Sequence, residues 1–278
     1  MSRKLNAPIR YFGGKGGMFN NIIQHFPKDK SYEIYIEPFG GSYSIGIKAT
    51  QYYLPPIEIY NDLEKNVYSL FKVINDKDLF IQFKDKCDLC YYSEDVRAEF
   101  KELLKDDSIS LVDRAFAFFY VNRSSHNGIG GISINTCIRR NMGKHVSDML
   151  STIDGMYDLH QRLSRLTVLN RDGIELIKQY DRDNTFMYCD PPYVQDTRGG
   201  TRYSVDMDND EQKRFVDTVI NCNKCKLLIS GYDNEIYMPL EQNGFKKITF
   251  NVNTVDGVRK PKEKTEVLWK NYDFSAGL

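Results

Sequence analysis

Short runs of β-branched and aromatic residues recur along this chain, and several stop on a carboxylate or a glycine turn. They cover 34–37, 57–61, 167–170, 185–189, 226–230, 246–251 and 267–270, with helical patterns between several of them. Strands alternating with helices predict an α/β fold around one interrupted, mostly parallel sheet of seven strands. The last two runs have only a loop between them, which predicts an antiparallel hairpin at the sheet edge. Tyr35-Ile36-Glu37-Pro38-Phe39-Gly40-Gly41-Ser42 is a strand ending in a glycine turn, where a ligand can approach the backbone closely. Ile57-Glu58-Ile59-Tyr60-Asn61-Asp62 is a second strand ending in an acid. Asp62 lies about 20 residues past the glycines, the spacing at which a carboxylate meets ribose hydroxyls in nucleotide folds.

The run Thr185-Phe-Met-Tyr-Cys-Asp-Pro-Pro-Tyr193 carries the sharpest chemistry. An exocyclic amine on a nucleobase is a poor nucleophile, because its lone pair is delocalised into the ring. Two fixed acceptors can hold both amine hydrogens and draw the nitrogen toward tetrahedral geometry. The Asp190 carboxylate only accepts, and the Pro191 carbonyl points where the proline ring fixes the backbone. With Pro192 and Tyr193 they form the candidate catalytic turn, and Tyr193 is expected to stack on the ring of the base. Positioned groups of this kind are worth roughly 3–4 kcal/mol each in the mirror-image case of an oxyanion hole.

Order along the chain adds specificity. Arg10-Tyr11-Phe12-Gly13-Gly14-Lys15, then Glu37-Pro38-Phe39-Gly40-Gly41, then Asp62, then Asp190-Pro191-Pro192-Tyr193 resembles the Dam-type (D12 class) DNA adenine-N6 methyltransferases over essentially the whole chain. The resemblance implies a Rossmann-like class I fold and S-adenosylmethionine as methyl donor. Tyr11, Lys15, Glu37, Phe39, Gly41, Asp62 and Asp190 would hold that cofactor. Asp172, in Leu169-Asn170-Arg171-Asp172, would meet its adenine or else cap the helix that follows. The chain departs from the family where a second glycine or small residue often follows Gly41; here Tyr43 stands. The implied division is a catalytic domain of residues 1–74 and 151–278, interrupted by a helical target-recognition domain at 75–150 that carries a β-hairpin.

The insertion divides by charge. Between Arg114 and Ser147 there are five basic residues and no acids, whereas Asp76 to Asp107 has ten acids against six bases. What matters for phosphate binding is where charge sits, so a net charge of zero over 278 residues does not exclude DNA. The segment 120–132 places Asn-Gly and Gly-Gly turn signals among β-formers and is expected to form a hairpin or glycine-rich ribbon. Its Asn122, Arg123 and Asn127, with Arg139 and Arg140, are candidate DNA contacts, since arginine grips phosphates or guanine and asparagine pairs with adenine edges. His126 reads as a surface turn residue or as a filler for the gap left by an extruded base. Residues 195–203, with Arg198, Arg202 and Tyr203, form a glycine-hinged candidate lid directly after the catalytic turn. Tyr203 would stack on the base opposite Tyr193. A second basic stretch runs from Lys246 to Lys264.

The expected partner is double-stranded DNA, from which the adenine must be flipped out at a cost of a few kcal/mol. An RNA base methyltransferase and a catalytically silent nucleic-acid binder share parts of this pattern; a nicotinamide dehydrogenase would need a full Gly-x-Gly-x-x-Gly run. A cognate restriction endonuclease is the further candidate partner, and a cytoplasmic monomer is expected. No apolar run reaches the ~18 residues needed to span a bilayer. Six cysteines include Cys87/Cys90 and Cys222/Cys225. The two pairs lie too far apart in sequence for a zinc ribbon, and no histidine cluster completes a set. The sequence therefore predicts reduced thiols and no metal.

Overall fold

The computed structural model describes residues 5–11, 14–28, 32–49, 53–125, 131–134, 136–193, 206–254 and 262–273. The chain forms two compact units: Met1–Gly14, Gly41–Lys48 and Glu64–Val168 make the first, and Lys15–Gly40, Ala49–Leu63 and Leu169–Leu278 the second. The expected insertion, 75–150, lies inside the first.

A mixed seven-stranded sheet organises the fold. Its strands are β1 (Ile34–Glu37), β2 (Ile57–Asn61), β5 (Leu166–Leu169), β6 (Thr185–Cys189), β7 (Lys226–Gly231), β8 (Lys246–Thr254) and β9 (Lys262–Lys270). They run in the order β5-β2-β1-β6-β7-β9-β8. The pairs β1–β2, β1–β6 and β6–β7 are parallel. β9 pairs antiparallel with both β7 and β8, so the expected edge hairpin is present. β1 and β6 are buried at every position, the pattern of parallel strands covered on both faces. From β1 the chain moves outward to β2, and later returns to β6 on the other side of β1. Glu37 and Asp190 therefore leave their strands at the topological switch point, where open α/β sheets bind ligands.

Two helices of the second unit frame that rim. α9 (Gly173–Gln179) begins at Asp172, whose carboxylate accepts from the Ile174 and Glu175 amides. α10 (Asn209–Ile220) begins with a complete capping box between Asp208 and Glu211, as its acid-x-x-Glu spacing requires. Phe215, Val216 and Val219 of α10 pack into the core with Met187, Cys189, Leu227 and Trp269.

The first unit is helical: α3 (Lys65–Asn75), α4 (Lys77–Leu89), α5 (Glu94–Leu103), α6 (Leu111–Ser124), α7 (Lys144–Asp154) and α8 (Met156–Leu163). Its interior is aromatic, with Phe83 edge-on to Phe119 at 5.7 Å and Tyr43 edge-on to Phe71 at 6.3 Å. α6 corrects one expectation. Residues Tyr120 to Ser124 are its last turns, with Phe119, Tyr120, Asn122 and Ser124 all buried. Burial on nearly every side of this helix overrides the β preference of its aromatics. Ser125 bridges Ile132 antiparallel. Further on, β3 (Ile138–Arg139) pairs antiparallel with β4 (Met142–Gly143). Arg140 and Asn141 sit at the tip of this hairpin with φ of 54° and 60°, as a two-residue turn with positive φ at both positions demands.

Candidate active site

In the second unit, four acids stand at strand ends: Glu37 as the last residue of β1, Asp62 after β2, Asp172 after β5 and Asp190 after β6. Asn61 ties three of these turns together. Its side chain, fully buried, donates to the Pro38 and Arg171 carbonyls at 2.8 and 2.9 Å and accepts from the Arg171 amide at 2.9 Å. Its carbonyl accepts from Gly40 at 2.8 Å. Gly40 has no room for a side chain, because a Cβ there would stand 2.3 Å from the Tyr60 ring.

Around Asp190 the charges are dense. Lys15, 3% exposed, places its ammonium 2.8 Å from Asp190 Oδ1 and 3.5 Å from Glu266 Oε1. The same ammonium lies 4.3 Å from the centre of the Tyr193 ring. The Tyr193 hydroxyl donates to Glu266, and its ring meets Tyr232 edge-on at 4.6 Å. Burial pushes the Asp190 carboxyl above its ordinary range and Lys15 opposes that push. Glu266 is held up in the same way, by burial first, against Lys15 and the Tyr193 hydroxyl. One fifth of the Asp190 side chain stays exposed, so its carboxylate remains within reach of a ligand. Behind the turn, the fully buried Gln212 of α10 donates to the Pro192 carbonyl at 2.5 Å and accepts from the Tyr237 hydroxyl at 2.8 Å.

Several expected residues have other partners than those foreseen. Lys15, expected at the cofactor, pairs with Asp190 and Glu266. Tyr193, expected to stack on a base, is 7% exposed and engaged by Glu266, Tyr232 and Lys15. Asp172 takes the capping role and pairs with Arg214 of α10 at 2.8 Å. Phe39 leans on the core, edge-on to Phe215 at 5.7 Å. Glu37 is buried and accepts from the Tyr35 hydroxyl at 2.7 Å; Asp62 is buried as well. Sequence reasoning assigned no role to Glu266, Asn61 or Gln212.

The first unit holds the remaining expected residues. Gly41, at φ 48°, lies against the Tyr11 ring, where a Cβ would approach to 3.1 Å. Tyr43 is fully buried and turned onto Gly46. Asn122, expected at the DNA, is 5% exposed and clamps Arg10, accepting from its amide at 2.9 Å and donating to its carbonyl at 2.7 Å. Arg114 is also buried, donating to Asn66 and to the Asp106 carbonyl. Arg123 donates to the Asp148 carbonyl at 3.0 Å, and burial lowers its pKa to about 10. Arg139, Lys144 and Arg10 all pair with the Asp148 carboxylate, and Arg140 pairs with Asp154. Arg10, Arg123, Arg139, Arg140 and Asp148 line a polar cavity of about 380 Å³. His126, Asn127, Arg198, Arg202 and Tyr203, the candidate lid at 195–203 and part of the second basic stretch lie outside the described residues.

Compared with known proteins, residues 11–256 match the D12 class N6 adenine-specific DNA methyltransferases. The chain belongs to that family. It is 23% identical to the Type II methyltransferase M.MjaIII of Methanocaldococcus jannaschii, over 95% of this chain and 98% of that protein. It is 25% identical to modification methylase StsI of Streptococcus sanguinis, over 99% of this chain but only 38% of the longer StsI. The chain is thus an adenine-specific DNA methyltransferase, and membership implies dependence on S-adenosylmethionine in general. Among the described residues, no helix is long and apolar enough to cross a membrane.

Proposed function

We propose that this methyltransferase transfers a methyl group from S-adenosylmethionine to N6 of an adenine flipped out of duplex DNA, with Asp190 and the Pro191 carbonyl as the amine acceptors. The donor set at the strand ends supports the cofactor. An α-ammonium, ribose hydroxyls and a sulfonium call for carboxylates, and Glu37, Asp62 and Asp172 supply them. Tyr11, Phe39 and Gly41 are assigned to the same ligand on the strength of the family motif. When bound, the cofactor supplies an electrophilic methyl group.

The protein's part is alignment and charge. Asp190 accepts one N6 hydrogen and the Pro191 carbonyl the other, which localises the nitrogen lone pair and favours the positive charge that grows as the bond forms. Methylation leaves N6 with one proton too many. The Asp190 carboxylate receives it, and burial, which lifts the affinity of this carboxylate for a proton, suits it to that task. Lys15 keeps Asp190 ionised beforehand, and Glu266 fixes Lys15 and Tyr193 in turn. Tyr193 therefore serves as a wall of the site. In the insertion 75–150, which we assign to target recognition, Arg139 and Arg140 are the exposed DNA contacts; Asn127 in the same insertion, and Arg198, Arg202 and Tyr203 after the turn at Asp190, keep the roles that the sequence assigns them.

The ion pair between Lys15 and Asp190 at the end of β6 is the observation that carries this reading. Asp190→Ala is expected to abolish methyl transfer to duplex DNA while calorimetry still detects S-adenosylmethionine binding. Wild-type turnover in that variant would defeat the assignment.

A further inference from the structure

We propose that the second unit carries a site for a soft divalent cation of the zinc type, formed by Asp181, Cys222 and Cys225. Asp181 lies between α9 and β6, and the two cysteines between α10 and β7. One carboxylate oxygen and the two sulfurs all lie within 4.8 Å of one another. A tetrahedral ion at about 2.3 Å from sulfur and about 2.1 Å from oxygen spaces its ligands roughly 3.5–3.8 Å apart, so closure takes shifts of about an ångström. Sequence spacing hid the site, because its third ligand comes from 41 residues before Cys222.

Two further observations favour a cation. First, Asp181 is already oriented: it accepts from the amides of Asn223, Lys224 and Cys225 at 3.1, 3.0 and 2.8 Å. These bonds pin the carboxylate across the Cys-x-x-Cys turn, the outer-shell support that metal ligands use, and its remaining lone-pair direction meets the Cys225 thiol, whose proton a metal ion would displace. Second, the cysteines follow the carboxyl end of α10, where Thr218 O accepts from the Asn221 amide at 3.2 Å and Cys222 Sγ at 3.4 Å. The negative end of a helix dipole attracts a cation and opposes a bare thiolate. A dication at this helix end is favoured by the dipole and neutralises the thiolates that it binds. A cavity of about 610 Å³ that includes Asp181, Thr218 and Cys222 in its wall gives a solvent ligand access to the fourth position.

On binding, two metal–sulfur bonds and one metal–oxygen bond form, two thiol protons pass to solvent, and no electrons move. Affinity must therefore rise with pH, by up to about 100-fold per unit while both thiols are protonated. The ion would fasten the α9–β6 loop to the end of α10, the helix whose Gln212 braces the catalytic turn.

The test is cobalt titration of the full-length reduced chain, followed in the near-ultraviolet through thiolate-to-cobalt charge transfer. One equivalent is expected to bind, with zinc displacing it and raising the melting temperature. Cys222→Ser and Cys225→Ser should each weaken binding at least 100-fold, and the Cys87→Ser, Cys90→Ser double variant should bind as wild type. No charge-transfer band at tenfold cobalt excess, or a band that survives Cys225→Ser, overturns the proposal. Methyl transfer is not the readout, so the outcome is independent of the role given to Asp190.

Discussion

Replacing Lys15 by methionine keeps most of the apolar stem and removes the ammonium that stands between Asp190 and Glu266. Removing one partner of a buried ion pair costs roughly 3–5 kcal/mol. Asp190 keeps a fifth of its side chain exposed, so the lower end, about 3 kcal/mol, applies. Burial already raises Asp190 and Lys15 holds it down; without Lys15 it rises further. A protonated Asp190 is a donor where the reaction needs an acceptor. At about 1.36 kcal/mol per factor of ten, the expected result is a fall in kcat of up to about 100-fold that is largest at the acid end, with the acid limb of the kcat profile moved to higher pH and recovery as pH rises. The stability effect has a defined sign. Asp190 and Glu266 have folded-state pKa values above their unfolded ones, so the folded state holds protons that the unfolded state releases. Stability falls as pH rises through that window, and the variant's window is wider. Variant and wild type should therefore converge near about pH 4 and separate above it. Methyl-transfer rates from about pH 6 to about pH 9.5, with urea denaturation at about pH 4 and about pH 8, measure both effects. A uniform loss of rate at every pH, with the acid limb unmoved, would show that Lys15 works by touching a ligand rather than by setting the charge of Asp190.

Asn122→Ala leaves the Arg10 amide and carbonyl without their clamp and should cost about 2–3 kcal/mol in urea unfolding; the DNA sequence preference of the folded fraction should not change, and a changed preference restores Asn122 as a base reader. Gly46→Ala pushes a Cβ to 2.2 Å from the Tyr43 ring and should destabilise by about 1–3 kcal/mol; a second change, Tyr43→Ala, should relieve that clash, and additive losses in the double variant would contradict the contact. Gln212→Leu strands the Pro192 carbonyl and the Tyr237 hydroxyl, so kcat should fall about tenfold or more while S-adenosylmethionine affinity, measured by calorimetry, holds within twofold.

The strands were legible because the signal is local. β1 and β6 are buried on both faces, so their sequences are nearly continuous apolar runs, and Asp208 with Glu211 spells a helix start in four residues. The turn from Asp190 to Tyr193 was legible for the same reason. Glu266 was not. It lies in a β9 sequence whose residues 266–270 are all buried, and nothing nearby says that this acid meets a cation 251 positions earlier. The hairpin at β3 and β4 was missed because its turn uses Arg140-Asn141, a pair without glycine that accepts positive φ, whereas the Asn-Gly signal lies in 120–132. Tyr43 looked like an obstacle where the family keeps small residues. Its backbone takes a positive φ of 53° and its ring turns onto Gly46 and Phe71, so the bulk is absorbed by a glycine three residues on.

The arginines show how a charge count misleads in detail. Between Arg114 and Ser147 the sequence is purely basic, but Asp148 follows immediately and gathers Arg10, Arg139 and Lys144 on one carboxylate. Arg114 and Asn122 are spent inside the unit. A phosphate that binds here must exchange with Asp148 or Asp154 rather than meet free guanidinium groups. Each contact then yields less energy than an unpaired arginine would, but the side chain is already oriented and loses less rotamer freedom on binding. Such a surface gives weak attachment to DNA in general and leaves discrimination to groups that touch base edges. Asp148→Asn should therefore strengthen binding to duplex of any sequence by several-fold at low salt, and so narrow the ratio between target and non-target DNA. If gel-shift measurements show both affinities falling together, Asp148 serves only to hold the arginines in place.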